Sequence, residues 1–218
     1  MKILILGKYP PIEGGVSAYT FWLARALANQ GHTVRVATNA NEVEPTFAQL
    51  HYGGDAGRLE NDGVSGSLRV DQTSSLAPSS FIPFAQPYVT KLFGLSLSII
   101  EQDHCDVILG WYFEPYGFTA ALVGQATAVP FVIRHAGSDI GRLAQHPELK
   151  AAYAWALQNA AGLIVTNERE FGNQFGLVDR PRIRPTFPRL PIVVTGINTL
   201  LLLYSALTMW RAQQAMRR

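Results

Sequence analysis

The sequence predicts an α/β fold, a Rossmann-like open parallel sheet with helices on both faces. Two observations carry this. Short apolar runs alternate with helix-period segments along most of the chain, and the first such unit closes strand, glycine-rich loop, helix, glycine and strand within 38 residues. A third supports it: the first strand is apolar throughout its interior, as strands are when a sheet is covered on both faces.

The elements follow in order. Lys2 to Leu6 is the first strand, and Gly7 to Gly15 the loop after it. Val16, Tyr19, Leu23 and Leu27 then recur at helical spacing until Gly31 stops the helix, and Thr33 to Thr38 is the second strand of a βαβ unit. Residues 39–86 carry loop signals (Gly53-Gly54, Gly57, Gly63, Gly66 and the Ser/Pro stretch Thr73 to Ser80) around one weak strand near Leu68-Arg69-Val70. Tyr88 to Gln102 is a helix with Val89, Leu92, Phe93, Leu97 and Ile100 on one side. Alternation then resumes with strand Asp106 to Gly110, helix Tyr116 to Thr127 and strand Val129 to His135. Helix Pro147 to Ala160 comes next, with its proline at the first turn, then strand Gly162 to Thr166 and a short helix Glu168 to Phe175.

Charge is distributed unevenly over the 218 residues. The formal net charge of +2 combines −5 for residues 1–179 with +7 for residues 180–218, where seven arginines meet no Asp or Glu. An argument for an anionic partner from net charge therefore belongs to the last segment alone. There, Pro181, Pro185, Pro188 and Pro191 interrupt the arginines and only Phe187 offers a ring, which argues against nucleic acid. The single cysteine, Cys105, excludes an intramolecular disulfide and suits a reducing compartment. His104 beside it lacks the spaced partners of a zinc site. The apolar stretch before Gly7 is four residues, against about 7–15 for an export signal, so the expected location is cytoplasmic.

Ligands of open parallel sheets bind beyond the C-terminal strand ends, so the residues just after each strand are the candidates. Gly14-Gly15 opens a helix: these glycines either only make the turn or let an anion such as a phosphate approach bare helix amides. The pattern is neither a Gly-x-Gly-x-x-Gly fingerprint nor a P-loop, which removes support for hydride transfer and nucleotide hydrolysis. Glu114, among Trp111, Tyr112, Phe113 and Tyr116, either accepts sugar hydroxyls or sits in ordinary packing at a helix start. Arg134-His135-Ala136-Gly137-Ser138-Asp139 places polar and flexible residues directly after a buried strand. Asp139 can accept hydroxyls, Gly137 permits close approach, and His135 can polarise or position a reacting group, or be structural.

Together, the Gly14-Gly15 loop, the helix end Asn29-Gln30-Gly31-His32-Thr33-Val34 and Arg134 to Asp139 resemble the N-terminal, acceptor-side half of a family 4 glycosyltransferase of GT-B fold, over about residues 2–178. The resemblance implies transfer of a sugar from a nucleotide-sugar co-substrate to the hydroxyl of a glycan or lipid-linked acceptor, with no metal and no other cofactor. It places Gly14 and Gly15 against donor phosphate or acceptor, His135 near the transferred sugar as the catalytic residue, and Glu114, Arg134, Gly137, Ser138 and Asp139 in the binding cleft. The family's second domain carries a basic pair and a Glu pair for the donor; after residue 179 there is no acidic residue, so the Glu pair is absent from this chain. The expectation is a transferase-like domain, 1–179, that is truncated and weak or inactive alone. The alternative is a non-catalytic module for a glycan or lipid acceptor, or one half of a split enzyme with a separately encoded donor-binding domain. Residues 180–189 read as a Pro/Arg-rich linker and 190–218 as an apolar tail with an Arg-flanked helix, whose 21 uncharged residues from Leu190 to Trp210 are bounded by Arg189 and Arg211 and have their apolar core at Leu200 to Trp210. That tail reads as a truncation or frameshift remnant, ahead of a membrane-spanning or membrane-surface segment.

Overall fold

A computed structural model describes residues 1–52, 66–74, 87–135, 138–165 and 183–185; of 138, 139, 141 and 183–185 it describes the backbone only. Nearly all of them belong to the first of two compact units, Met1–Arg184 and Pro185–Arg218. The glycine cluster at 53–63, most of the Ser/Pro stretch, the predicted helix at 168–175 and the tail at 190–218 lie outside the described residues.

Six strands form a parallel sheet: β1 (Lys2–Gly7), β2 (Thr33–Thr38), β3 (Ser67–Gln72), β4 (Val107–Trp111), β5 (Phe131–Arg134) and β6 (Gly162–Val165). The spatial order is β3-β2-β1-β4-β5-β6, and a three-residue strand, β7 (Ile183–Pro185), lies next to β6 within the segment predicted as linker. Strand starts and ends agree with the expectation to within about two residues, the normal uncertainty of such boundaries.

Burial follows the period of two along β1. Ile3 and Ile5 face a cluster with Val34, Val36, Phe21, Ala24 and Ala28, while Leu4 and Leu6 face the larger cluster built with Leu92, Ile99, Ile108, Ala120, Ile133 and Leu157. Helix α1 (Gly15–Asn29) therefore covers one face, and α2 (Tyr88–Asp103), α3 (Phe118–Thr127) and α5 (Pro147–Asn159) cover the other.

The faces of the first two helices differ from the expectation. In α1 the buried residues are Ser17, Thr20, Phe21, Ala24 and Ala28, not the larger Val16, Tyr19, Leu23 and Leu27. Small side chains let the helix axis approach the sheet, and Val16, Leu23 and Leu27 pack along the flank. In α2 the buried line is Leu92, Ser96, Ile99 and Ile100, with Phe93 and Leu97 half-buried beside it. A short helix, α4 (Ser138–Leu143), lies between β5 and α5 in a stretch to which the sequence assigns no element.

Buried charge is closed off on itself. Arg35, 6% exposed, donates to Asp71 at 2.7 Å and pairs with Asp103 across β2, β3 and the end of α2. Burial lowers the guanidinium's pKa, but these hydrogen-bonded carboxylates outweigh it and raise the pKa overall. Lys91 of α2 is likewise paired with Glu42, which also accepts from Thr73.

The strand-to-helix passage after β4 is tight. A Cβ at Gly110 would stand 2.5 Å from Gly117 Cα and 3.1 Å from Ala120 Cβ. Because the first of these is backbone, no rotamer change relieves it. Gly110→Ala should therefore cost about 1–3 kcal/mol of stability, seen as a lower urea midpoint at unchanged slope. An unchanged midpoint would show that the 113–117 turn yields freely.

Candidate functional site

The sheet order reverses direction between β1 and β4, since β1 continues to β2 on one side and β4 to β5 on the other. At such a switch the loops leave in opposite directions and open a crevice beyond the C-terminal strand ends. Register aligns the last strand residues in one row: Gly7 opposite Trp111, Trp111 opposite Arg134, and Arg134 opposite Ile164. This row is on the α1 face, where Trp111 and Ile164 join the α1 cluster. The next residue of each strand is Lys8, Tyr112 and His135.

On the α1 face the row is capped by stacked rings. Tyr19 of α1 lies on Trp111, centroids 5.3 Å apart and planes 21° apart, and the Arg134 guanidinium is over both, 5.1 Å from Tyr19 and 4.8 Å from Trp111. Arg134 is 9% exposed. The arrangement pins the second turn of α1 to the ends of β4 and β5, and such cation–π contacts contribute about 0.5–2 kcal/mol each.

Gly14 and Gly15 differ in what they need. Gly14, the N-cap of α1, has φ +116°, which only glycine adopts without strain. Gly15 has no such requirement, and a Cβ there would meet nothing within 4 Å. The N-cap is itself a glycine, so no N-cap side chain accepts from the first amides of the helix. The turn thus explains Gly14 and leaves Gly15 unexplained.

Past the row, the Lys8 ammonium lies 4.8 Å from the Tyr112 ring centroid. Tyr112 holds φ 87° and ψ 135°, a conformation costing a non-glycine residue about 1–3 kcal/mol. The next turn, Phe113–Gly117, closes with Gly117 N–H donating to Tyr112 O at 2.9 Å. Within it Glu114 accepts from the Tyr153 hydroxyl of α5 at 3.1 Å, and Tyr116 donates to Asn39 Oδ1 after β2. His135, half-buried, donates its backbone N–H to Ile164 O at 2.9 Å. Ser138 and Asp139 begin α4, and Gly137 lies outside the described residues. The structure thus brings Arg134, His135 and Glu114 to the same sheet edge as the Gly14-Gly15 turn. Sequence reasoning nominated Tyr112 only as one of the aromatics around Glu114 and missed Lys8 and Tyr19; the position directly after β1 was the available signal for Lys8. Among the described residues no cluster of His, Cys, Asp or Glu could hold a metal ion, and no helix is long and apolar enough to cross a membrane.

A Rossmann-like parallel sheet with a crevice at its switch point and a glycine-opened helix N-terminus after β1 is a doubly wound α/β domain, the architecture of one half of a GT-B fold. The chain belongs to the glycosyl transferase 4-like domain family, whose model matches residues 14–185. Among solved structures it is similar to sucrose-phosphate synthase from Thermosynechococcus elongatus, at 15% identity and TM-score 0.53, over 95% of this chain and 99% of that one. It is also similar to Anabaena HepE, solved in complex with UDP and with UDP-glucose, at 14% and 16% identity and TM-score 0.51. The match covers 85% of this chain and 43% of HepE, so the chain spans less than half of that protein's length. No curated protein sequence matches the chain.

Two buried phenols give the site an alkaline limit. Burial pushes Tyr9, which packs on Phe21, up to about 12, partly offset by Arg25, and burial also raises Tyr116 well above the usual 10. Folded-state values above the unfolded ones mean that the native state holds its protons more tightly. Their stabilising contribution is complete below pH 10 and is lost as pH rises toward and beyond 12. Melting temperature should accordingly fall above pH 10, and Tyr9→Phe should flatten the fall between pH 10 and 12.

Proposed function

We propose that this domain is the acceptor-side half of a nucleotide-sugar-dependent glycosyltransferase, working with a donor-binding domain on the same or another polypeptide. The observation that carries the reading is Gly15: a position with no conformational or packing need for glycine, at a glycine-opened helix N-terminus beside the crevice. An absent side chain lets a phosphate approach those amides closely, and their partial positive charge stabilises the leaving diphosphate. HepE, which binds UDP and UDP-glucose, makes a UDP-sugar the first donor class to test.

In this reading the acceptor oxygen bonds to the sugar's anomeric carbon as the bond from that carbon to the diphosphate oxygen breaks. The electron pair leaves with the diphosphate, whose oxygen takes up the proton that the acceptor hydroxyl loses. His135, at the end of β5, positions the transferred sugar, and Glu114, Ser138 and Asp139 accept hydroxyls along the same edge. Gly137 permits close approach there. Arg134 contributes through the rings it holds. The transferase-like domain is residues 1–179; residues 190–218 are a candidate for a membrane surface, and the location is cytoplasmic. Without donor-side groups the 218-residue chain alone transfers sugar weakly or not at all.

Gly15→Ala separates the ligand reading from the turn reading. Its melting temperature should match the parent, since alanine is favourable inside a helix and the space is open. Its affinity for UDP-glucose, measured by calorimetry, should fall at least about tenfold, as expected when charge-assisted hydrogen bonds are blocked. Equal affinity in a folded variant would remove the support Gly15 gives. With a donor-binding domain supplied, His135→Ala should lower transfer of radiolabelled sugar at least about a hundredfold, on the scale of one catalytic group, without lowering the melting temperature. Unchanged turnover would remove His135 from the reaction.

A further inference from the structure

We infer that Lys8 is a phosphate-binding residue on the His135 side of the sheet edge, and that the molecule reaching it is a sugar bearing a phosphate. The inference rests on the glycosyltransferase reading and adds a residue and a substrate feature to it.

The position is fixed by register. Gly7, Trp111 and Arg134 share one row on the α1 face, so Lys8, Tyr112 and His135 are the first residues past it on three neighbouring strands. Tyr112 packs against the cluster on the face opposite α1, and the Lys8 ammonium sits over its ring. Lys8 therefore belongs to the opposite side of the edge from the Gly14-Gly15 amides. Two strand spacings, about 10 Å, separate Lys8 from His135, the reach of a hexose with its phosphate.

The charge is available. Lys8 is half-buried, and among the described residues no carboxylate lies within ion-pair distance of it. Elsewhere in this unit Arg35 is closed by Asp71 and Asp103 and Lys91 by Glu42, while Arg134, more buried than Lys8, lies over the Tyr19 and Trp111 rings. Resting on a ring holds an ammonium in place without neutralising it. The strained backbone of Tyr112 presents that ring at the point where β1 and β4 diverge. A compact point charge anchored at one end and open at the other suits a phosphate.

The phosphate can be that of the donor or of a phosphorylated acceptor, and two probes separate them. The full chain and its Lys8→Gln, Lys8→Arg and Gly15→Ala variants are titrated by calorimetry with UDP and with glucose 6-phosphate, after melting curves show each variant folded. Lys8→Gln should weaken at least one probe by about ten- to a hundredfold, the usual cost of losing a hydrogen bond to a charged group, and flatten its salt dependence; Lys8→Arg should restore most of it. Loss for UDP alone assigns the donor phosphate, and loss for glucose 6-phosphate alone assigns a phosphorylated acceptor. Parent-like binding of both probes by Lys8→Gln overturns the inference while a weakened Gly15→Ala leaves the transferase reading standing. A parent chain that binds neither probe overturns both.

Discussion

Leu4, Ile5 and Leu6 expose no surface at all, and the two parallel ladders they carry hold the rest of the domain. β1 is hydrogen-bonded to β2 on one side and to β4 on the other, and its alternate side chains seed both cores. A slip of one residue would exchange the faces, pressing Leu4 and Leu6 against α1 and turning Ile3 and Ile5 toward α2. The same register sets Gly7, Trp111 and Arg134 level, and so places Lys8, Tyr112 and His135 just beyond them. The candidate site is in this sense a by-product of core packing: its residues are wherever the ladders stop.

Charge is handled in two ways across the domain. Away from the crevice, at Arg35 and at Lys91, carboxylates and hydrogen bonds surround each cation, and breaking such a group leaves a buried charge uncompensated. At the crevice, Lys8 and Arg134 lie over aromatic rings. The ring contact at Lys8 orients its ammonium without neutralising it. The aromatics after β4, which suggest a sugar-binding wall in sequence, divide between these tasks: Trp111 supports Arg134, Tyr112 supports Lys8, and Phe113 packs on Tyr153 at 4.5 Å.

The strands and the order in which they alternate with helices were legible because burial on both faces imposes apolar runs that need no knowledge of neighbours. Helix faces were less legible. In α1 the sheet selects Ser17, Thr20 and Ala24 for closeness, and a reading by hydrophobicity selects Leu23 and Leu27, which are larger and sit at the flank. The short α4 carries little helical signal in sequence, because Ser138 and Asp139 are residue types that also open turns. At the site, Gly14-Gly15, Glu114 and the Arg134-His135 pair could be nominated, since each lies just after a strand or begins a helix. Lys8 carried only the signal of its position directly after β1; its contact with Tyr112, distant in sequence, is visible in the structure alone.

The sequence by itself determined the parallel α/β class, the βαβ opening and which strand ends could carry chemistry, because alternation, glycine and periodicity are local consequences of backbone sterics and burial. It could not separate the two glycines: Gly14 is required by its φ and Gly15 by nothing within 4 Å, and both look alike as letters. Nor could it say which cations are neutralised. Those distinctions depend on distances between residues far apart in the chain, which exist only once the ladders fix the register and the helices settle on the two faces of the sheet.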